Sequence, residues 1–204
     1  MVASIYPSFY QISARIWLEE LGRDAGRCAT LDQVPEHSLD RVADQGFQWL
    51  WLMGIWQTGE AGRIISLANQ EWQADFRRML PDFRDEDVIG SPFAIQAYTV
   101  HRDFGGDASL ARFRQRLNER GIKLMLDFVP NHTALDHPWV SSHPEFYIHG
   151  SAEDLARQPQ NYFRLPTAAG MHVLAHGREP NFSAWVDTLQ LNYRHLGLRR
   201  AMQE

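Results

Sequence analysis

The apolar and polar positions of the chain separate into three short apolar runs and three stretches of helical period. QISARIWL (11–18), FQWLWLM (47–53) and IKLMLDF (122–128) predict buried strands. The last two are nearly continuous, as expected of parallel strands covered on both faces. PEHSLDRVADQG (35–46) predicts a helix: Leu39, Val42 and Ala43 share a face, Pro35 opens it and Gly46 closes it. DASLARFRQRLNERG (107–121) predicts another, with Leu110, Phe113 and Leu117 on one face, Asp107 as N-cap and Gly121 as terminator. A third helix is expected over SLANQEWQADFRRML (66–80), ended by Pro81.

The alternation of strand and helix predicts an α/β fold with a parallel sheet. Its spacing is uneven. A long insertion follows the second strand, with WQTGEAGR (56–63) reading as a tight polar loop, and another follows the third. The second insertion predicts a hairpin over 162–176 around Ala169-Gly170. Long segments inside a compact domain are usually functional.

Composition narrows the class. The 204 residues suit one medium domain, and 20 basic against 25 acidic side chains leave a formal charge of −5. A mildly acidic chain without a basic block gives no electrostatic case for nucleic acid or an anionic membrane. The single cysteine, Cys28, requires no oxidising compartment. The N-terminus, MVASIYPSFYQISARIW, lacks the pattern of a leader, and no stretch reaches membrane-spanning length. A cytoplasmic location is the resulting expectation.

Polar chemistry concentrates at the end of the third apolar run, where LMLDFVPNHTALDH places Asp127, Asn131 and His132 as D-x-x-x-N-H. A carboxylate, an amide and an imidazole at the C-terminal end of a strand suit a hydroxyl-rich ligand. They equally suit a strand end capped by polar groups. His132, Asp136 and His137 invite a transition-metal reading, but no thiol or HExxH helix accompanies them. Of the seven tryptophans, Trp49 and Trp51 read as core, while Trp56, Trp139 and Trp185 fall in the expected loops, where a ring can stack on a sugar. No G-x-S-x-G nucleophile motif occurs.

In these residues the chain resembles the alpha-amylase family, glycoside hydrolase family thirteen. LMLDFVPNHT is similar to the family's first signature motif, at the end of its third barrel strand. GSPFAIQAYTVHRDFGG (90–106) resembles the segment after the second strand, and Phe47 to Gly54 that strand itself. HPWVSSHPEFY, QNYF and DTLQLNYRHLGLRRAM resemble the approach to the fourth. The resemblance implies that residues 1–204 are the N-terminal portion, about three strands, of a (β/α)₈ TIM barrel, with long loops after the second and third strands. It implies action on α-glucosidic bonds of an α-glucan, oligosaccharide or small glucoside by a retaining route through two carboxylates. It places His132 on the sugar at the cleavage site, Asp127 on the arginine that precedes the nucleophile, and Phe93 and Tyr98 among the substrate-binding side chains. Asn131 falls where calcium-dependent members place a ligand, so calcium is an expectation carried by one residue.

The chain also departs from the pattern. Phe93 stands where many members have tyrosine, and Ala94 and Ala97 where they have aspartate; the absence of the aspartate at 94 counts against a typical α-glucosidase, and the other two changes bear on specificity. The family's nucleophile, acid/base and third carboxylate follow later strands, so all three are expected beyond Glu204. No catalytic carboxylate is assigned in this chain, which is expected to be inactive alone. A sucrose-type or other glucosyl transferase, and a non-catalytic carbohydrate-binding homologue, are the alternatives.

Overall fold

The computed structural model describes residues 6–167 and 170–203. The first five residues of the leader reading, the Ala169 side of the hairpin turn and Glu204 lie outside them. The elements run β1 (Phe9–Ser13), α1 (Ala14–Gly22), α2 (Glu36–Asp44), β2 (Trp49–Met53), β3 (Trp56–Thr58), α3 (Glu60–Ala68), α4 (Gln70–Met79), β4 (Ile95–Val100) and α5 (Gly106–Glu119). They continue through β5 (Lys123–Leu126), β6 (His132–Ala134), α6 (Pro138–Ser142), α7 (Ala152–Arg157), β7 (Tyr162–Thr167), β8 (Gly170–Ala175), β9 (Thr188–Gln190) and α8 (Leu196–Ala201). They form two compact units, Met1–Gln57 with Tyr98–Phe128, and Thr58–Ala97 with Val129–Glu204. Among the described residues no helix is long and apolar enough to cross a membrane.

The first unit is the expected α/β piece. Its sheet is parallel, in the order β1-β2-β5, with Leu50 level with Tyr10 and Leu124. Leu50 and Leu52 are fully buried in a core completed by Leu18, Leu39, Phe113 and Leu117 from α1, α2 and α5. Trp49, Trp51 and Met53, which alternate with those leucines, are only half-buried. The two faces are therefore unequal, unlike the evenly covered strands expected. One boundary also moves: residues 14–18, expected in strand, open α1. Ala14, Leu18 and Gly22 are buried four residues apart, a helical period that an eight-residue apolar run is too short to reveal.

Around α5 the expected punctuation shifts by two residues. Gly105, at φ 97°, occupies the N-cap in a left-handed conformation open to glycine. Asp107 lies inside the first turn instead, where Oδ1 accepts from the Val100 N–H at 2.8 Å.

In the second unit the single helix expected over 66–80 is two helices. Asn69 separates α3 from α4 because its side-chain oxygen accepts from the Glu71 and Trp72 N–H groups, capping α4 and breaking α3. The expected polar loop at 56–63 is strand β3 and the first turn of α3. The hairpin is present as antiparallel β7 and β8. Strands β6 and β9 also pair antiparallel, setting His132 opposite Gln190 and Thr133 opposite Leu189. A second core contains Phe146, Tyr147, Leu174, Leu198 and, from β9, Leu189.

Candidate functional site

Asp127 follows directly on β5 and is 9% exposed. Its Oδ1 accepts from the Trp51 indole Nε1–H at 2.9 Å and its Oδ2 from the Gly54 N–H at 2.5 Å. The Trp56 indole donates to its carbonyl at 2.8 Å. Gly54 has φ 74°, so the turn after β2 that aims this N–H at the carboxylate needs a glycine. Trp51, read from sequence as core packing, is thus one of the groups that hold Asp127. Among the described residues no arginine or lysine forms an ion pair with it. In the same unit Tyr98, 39% exposed, meets the Trp56 ring edge-on at 5.4 Å and lies 6.1 Å from Phe128.

The second unit gathers His132, Asn131, Phe93 and Trp185. His132 is buried, with its ring 5.1 Å from that of Trp185. Nδ1 accepts from the Asn131 side-chain amide at 3.2 Å, and the ring also hydrogen-bonds the Phe93 backbone. Burial holds the imidazole below its ordinary pKa and so neutral, with the Phe93 bond opposing in part. Phe93 is half-buried in a turn where its N–H donates to Ser91 Oγ at 3.2 Å.

Glycine makes room for this cluster. A Cβ on Gly177 would stand 2.5 Å from Thr188 Oγ1 and 2.9 Å from His132 Cβ, so only a bare backbone lets the segment after β8 approach. Beside it, buried His176 donates from Nδ1 to the Thr188 carbonyl at 2.8 Å. Asp187 is raised in pKa by burial, with His176 pulling the other way. The sequence reading assigned no role to Gly177, His176 or Asp187, although Asp187 opens the segment DTLQLNYRHLGLRRAM; what brings the three together is spatial.

The other expectations resolve differently. Asp136 and His137 act as helix caps: Asp136 Oδ2 accepts from the Ala61 N–H in the first turn of α3, and His137 Nδ1 from the Trp139 N–H in α6. Trp139 packs into the second core against Phe146, with its ring also 4.7 Å from that of His137, so of the three loop tryptophans Trp56 stands beside Asp127 and Trp185 beside His132.

Asn131 does not offer calcium the coordination expected of it. Its side-chain and backbone oxygens both accept from Gln190 Nε2, at 2.8 and 2.9 Å. Among the described residues no group of three or more His, Cys, Asp or Glu side chains could hold a metal ion. Calcium takes six to eight oxygens, carboxylates prominent among them, and this donor set does not fit.

A family model described as the alpha amylase catalytic domain matches residues 25–190. The chain is 30% identical over 153 residues to the alpha-1,4-glucan:maltose-1-phosphate maltosyltransferase of Salinibacter ruber, covering 69% of this chain and 21% of that one. It is 24% identical over 180 residues to an amino acid transporter heavy chain of Mus musculus, covering 83% and 22%. The crystal structure of an alpha-amylase from Lactobacillus plantarum matches 96% of the chain and 34% of its own, with a TM-score of 0.60 at 24% identity. The fold is thus that of a TIM-barrel alpha-amylase, in part. The chain spans about a fifth of the length of the two relatives.

Proposed function

The chain belongs to the alpha-amylase family, and from that premise we propose that it supplies part of the sugar site of an enzyme that cleaves α-glucosidic bonds with retention. The three parallel strands correspond in this reading to the first three of the barrel. Substrates are an α-glucan, an oligosaccharide or a small glucoside. One carboxylate attacks the anomeric carbon while a second, protonated, carboxyl group protonates the leaving oxygen. Neither is assigned to a residue of 1–204.

The observation that carries the reading is Asp127, a buried carboxylate held by one neutral donor on each oxygen and lacking a cation among the described residues. An ionised carboxyl group has about four acceptor positions, so room remains for the two parallel bonds of a guanidinium. Asp127 then positions the arginine beside the nucleophile. His132, neutral and backed by Trp185, binds a sugar hydroxyl that competes with the Phe93 backbone for the ring N–H. Phe93 and Tyr98 contribute apolar surface to the sugar.

The test is the Asp127→Asn variant of the active full-length enzyme. Its kcat on an α-glucoside should fall by about 10²-fold or more with KM little changed, because misplaced groups cost that much at the transition state. An unchanged kcat, or turnover by folded, monomeric 1–204, would sink the proposal. Transfer to an acceptor sugar is the variant of this reading supported by the maltosyltransferase match; product analysis with and without acceptor separates it from hydrolysis. A non-catalytic role is supported by the transporter heavy chain match, and binding of maltooligosaccharides without cleavage by the full-length protein would favour it.

A further inference from the structure

Gln190 lies in β9 directly opposite His132, yet its side chain serves Asn131. Nε2 donates to Asn131 Oδ1 at 2.8 Å and to the Asn131 carbonyl at 2.9 Å. Oε1 accepts from the Arg178 N–H at 3.1 Å and from Asn131 Nδ2 at 3.3 Å. Both ends of the amide are engaged, which fixes which end faces which partner. Asn131 therefore points a side-chain oxygen and a backbone oxygen at the same nitrogen. Two such oxygens, converging on one point, are what a hard cation would take. Here the positive end of an amide dipole stands at that point instead.

The arrangement reaches His132. Because Asn131 Oδ1 is committed to Gln190, its Nδ2 is the end presented to His132 Nδ1. A donor facing Nδ1 makes that nitrogen an acceptor and leaves the ring proton on Nε2. A cation on Asn131 Oδ1 would orient the amide in the same way.

We propose that the Gln190 side-chain amide takes the place of a calcium ion at Asn131, so that this protein folds without calcium and Gln190 sets the tautomer of His132. Gln190 is in this sense a positioning residue, acting through Asn131. The proposal rests on hydrogen-bond geometry and family membership, independently of which reaction the enzyme performs.

Thermal unfolding of the full chain in EDTA and in saturating calcium chloride is the first test. The midpoints should agree within about 1 °C, whereas a calcium ion bound only by the folded state would separate them by several degrees. Gln190→Glu keeps the shape but turns an oxygen toward two oxygens. In EDTA its midpoint should fall by about 5 °C, and added calcium should recover part of the loss. Nitrogen NMR of the His132 ring adds a signature that general destabilisation would not move: the Nε2–H tautomer in the native protein, with or without calcium, and a mixed population in Gln190→Glu. A native midpoint that drops in EDTA and returns with calcium overturns the proposal, whether or not the variant folds. So does a Gln190→Glu protein as stable as the native one in EDTA with its His132 tautomer unchanged.

Discussion

The two units of this chain are held together by different means. In the first, an aliphatic core of leucines between sheet and helices carries the fold, with Asp127 and His101 the ionisable side chains buried among its described residues. Arg112 and Arg116 of α5 and Arg120 just past its end reach Asp32, Glu36 and Asp40 in ion pairs whose acidic partners are substantially exposed. In the second, polar groups go inside. Thr133 Oγ1 and the Tyr147 hydroxyl meet at 2.9 Å in the interior, and His132 and His176 are buried with hydrogen-bond partners. Burial is non-directional and tolerates a shift of register in its partners; a buried hydrogen bond does not, because an unmade one costs its full desolvation. The first unit has the character of an apolar scaffold that also buries one carboxylate, Asp127, and the second that of a polar, preorganised interior.

The largest effect that could break this contrast is in the first unit. Phe113→Ala empties a fully buried position and should cost about 3–5 kcal/mol in denaturant unfolding; a cost under 1 kcal/mol would mean that this core does not carry the unit.

Acid should act next, and mainly on the second unit. His132 and His176 are lowered in pKa by burial, and His137 is lowered to about 4 by the same cause, against the opposing charge of Asp136. Groups depressed in the folded state bind protons more readily when unfolded. Their contribution is therefore present above the unfolded value of about 6.5 and is lost as pH falls toward the folded value, on the order of 3 kcal/mol for His137 alone. The raised Asp187 works in the opposite sense, since protonation favours its folded form. His101 adds a similar loss in the first unit, again through burial. Hydrogen exchange resolved by segment should show residues 129–203 losing protection between pH 6.5 and 4 before the sheet of the first unit does. Equal loss in both would erase the distinction.

The smallest effect concerns the outer charges. Asp32 is held down to about 2, chiefly by its hydrogen bond from Arg112, but it sits at the surface. Asp32→Asn should leave the unfolding midpoint unchanged at physiological salt, because exposed pairs are screened. A clear drop would make the charge network part of the scaffold.

How legible all this was in the sequence differs from element to element. Helix α2 and strands β2 and β5 follow the apolar periods and turn residues that announce them, and Gly46 and Gly121 have the positive φ expected of residues just past a helix end. The junction of β1 and α1 was not legible, since a short apolar run fits either period. The break at Asn69 was legible in principle, for asparagine is a strong N-cap, but continuous helical spacing on both sides masked it. Asp127 and His132 stood out because polar residues closing an apolar run are conspicuous. Trp51 did not, because an indole in a strand looks like packing until its N–H has a partner.

Gln190 shows the boundary most clearly. It falls in the segment that resembles the approach to the fourth strand, but nothing there points to its partner Asn131, 59 residues away. The sequence by itself determined which segments are apolar, at what period, and where the chain can turn, since those depend on local sterics and on water. The tertiary structure alone decided which donor meets which acceptor. Hydrogen bonds act over about 3 Å and only in line, so their pairing exists only once distant strands have been brought into register.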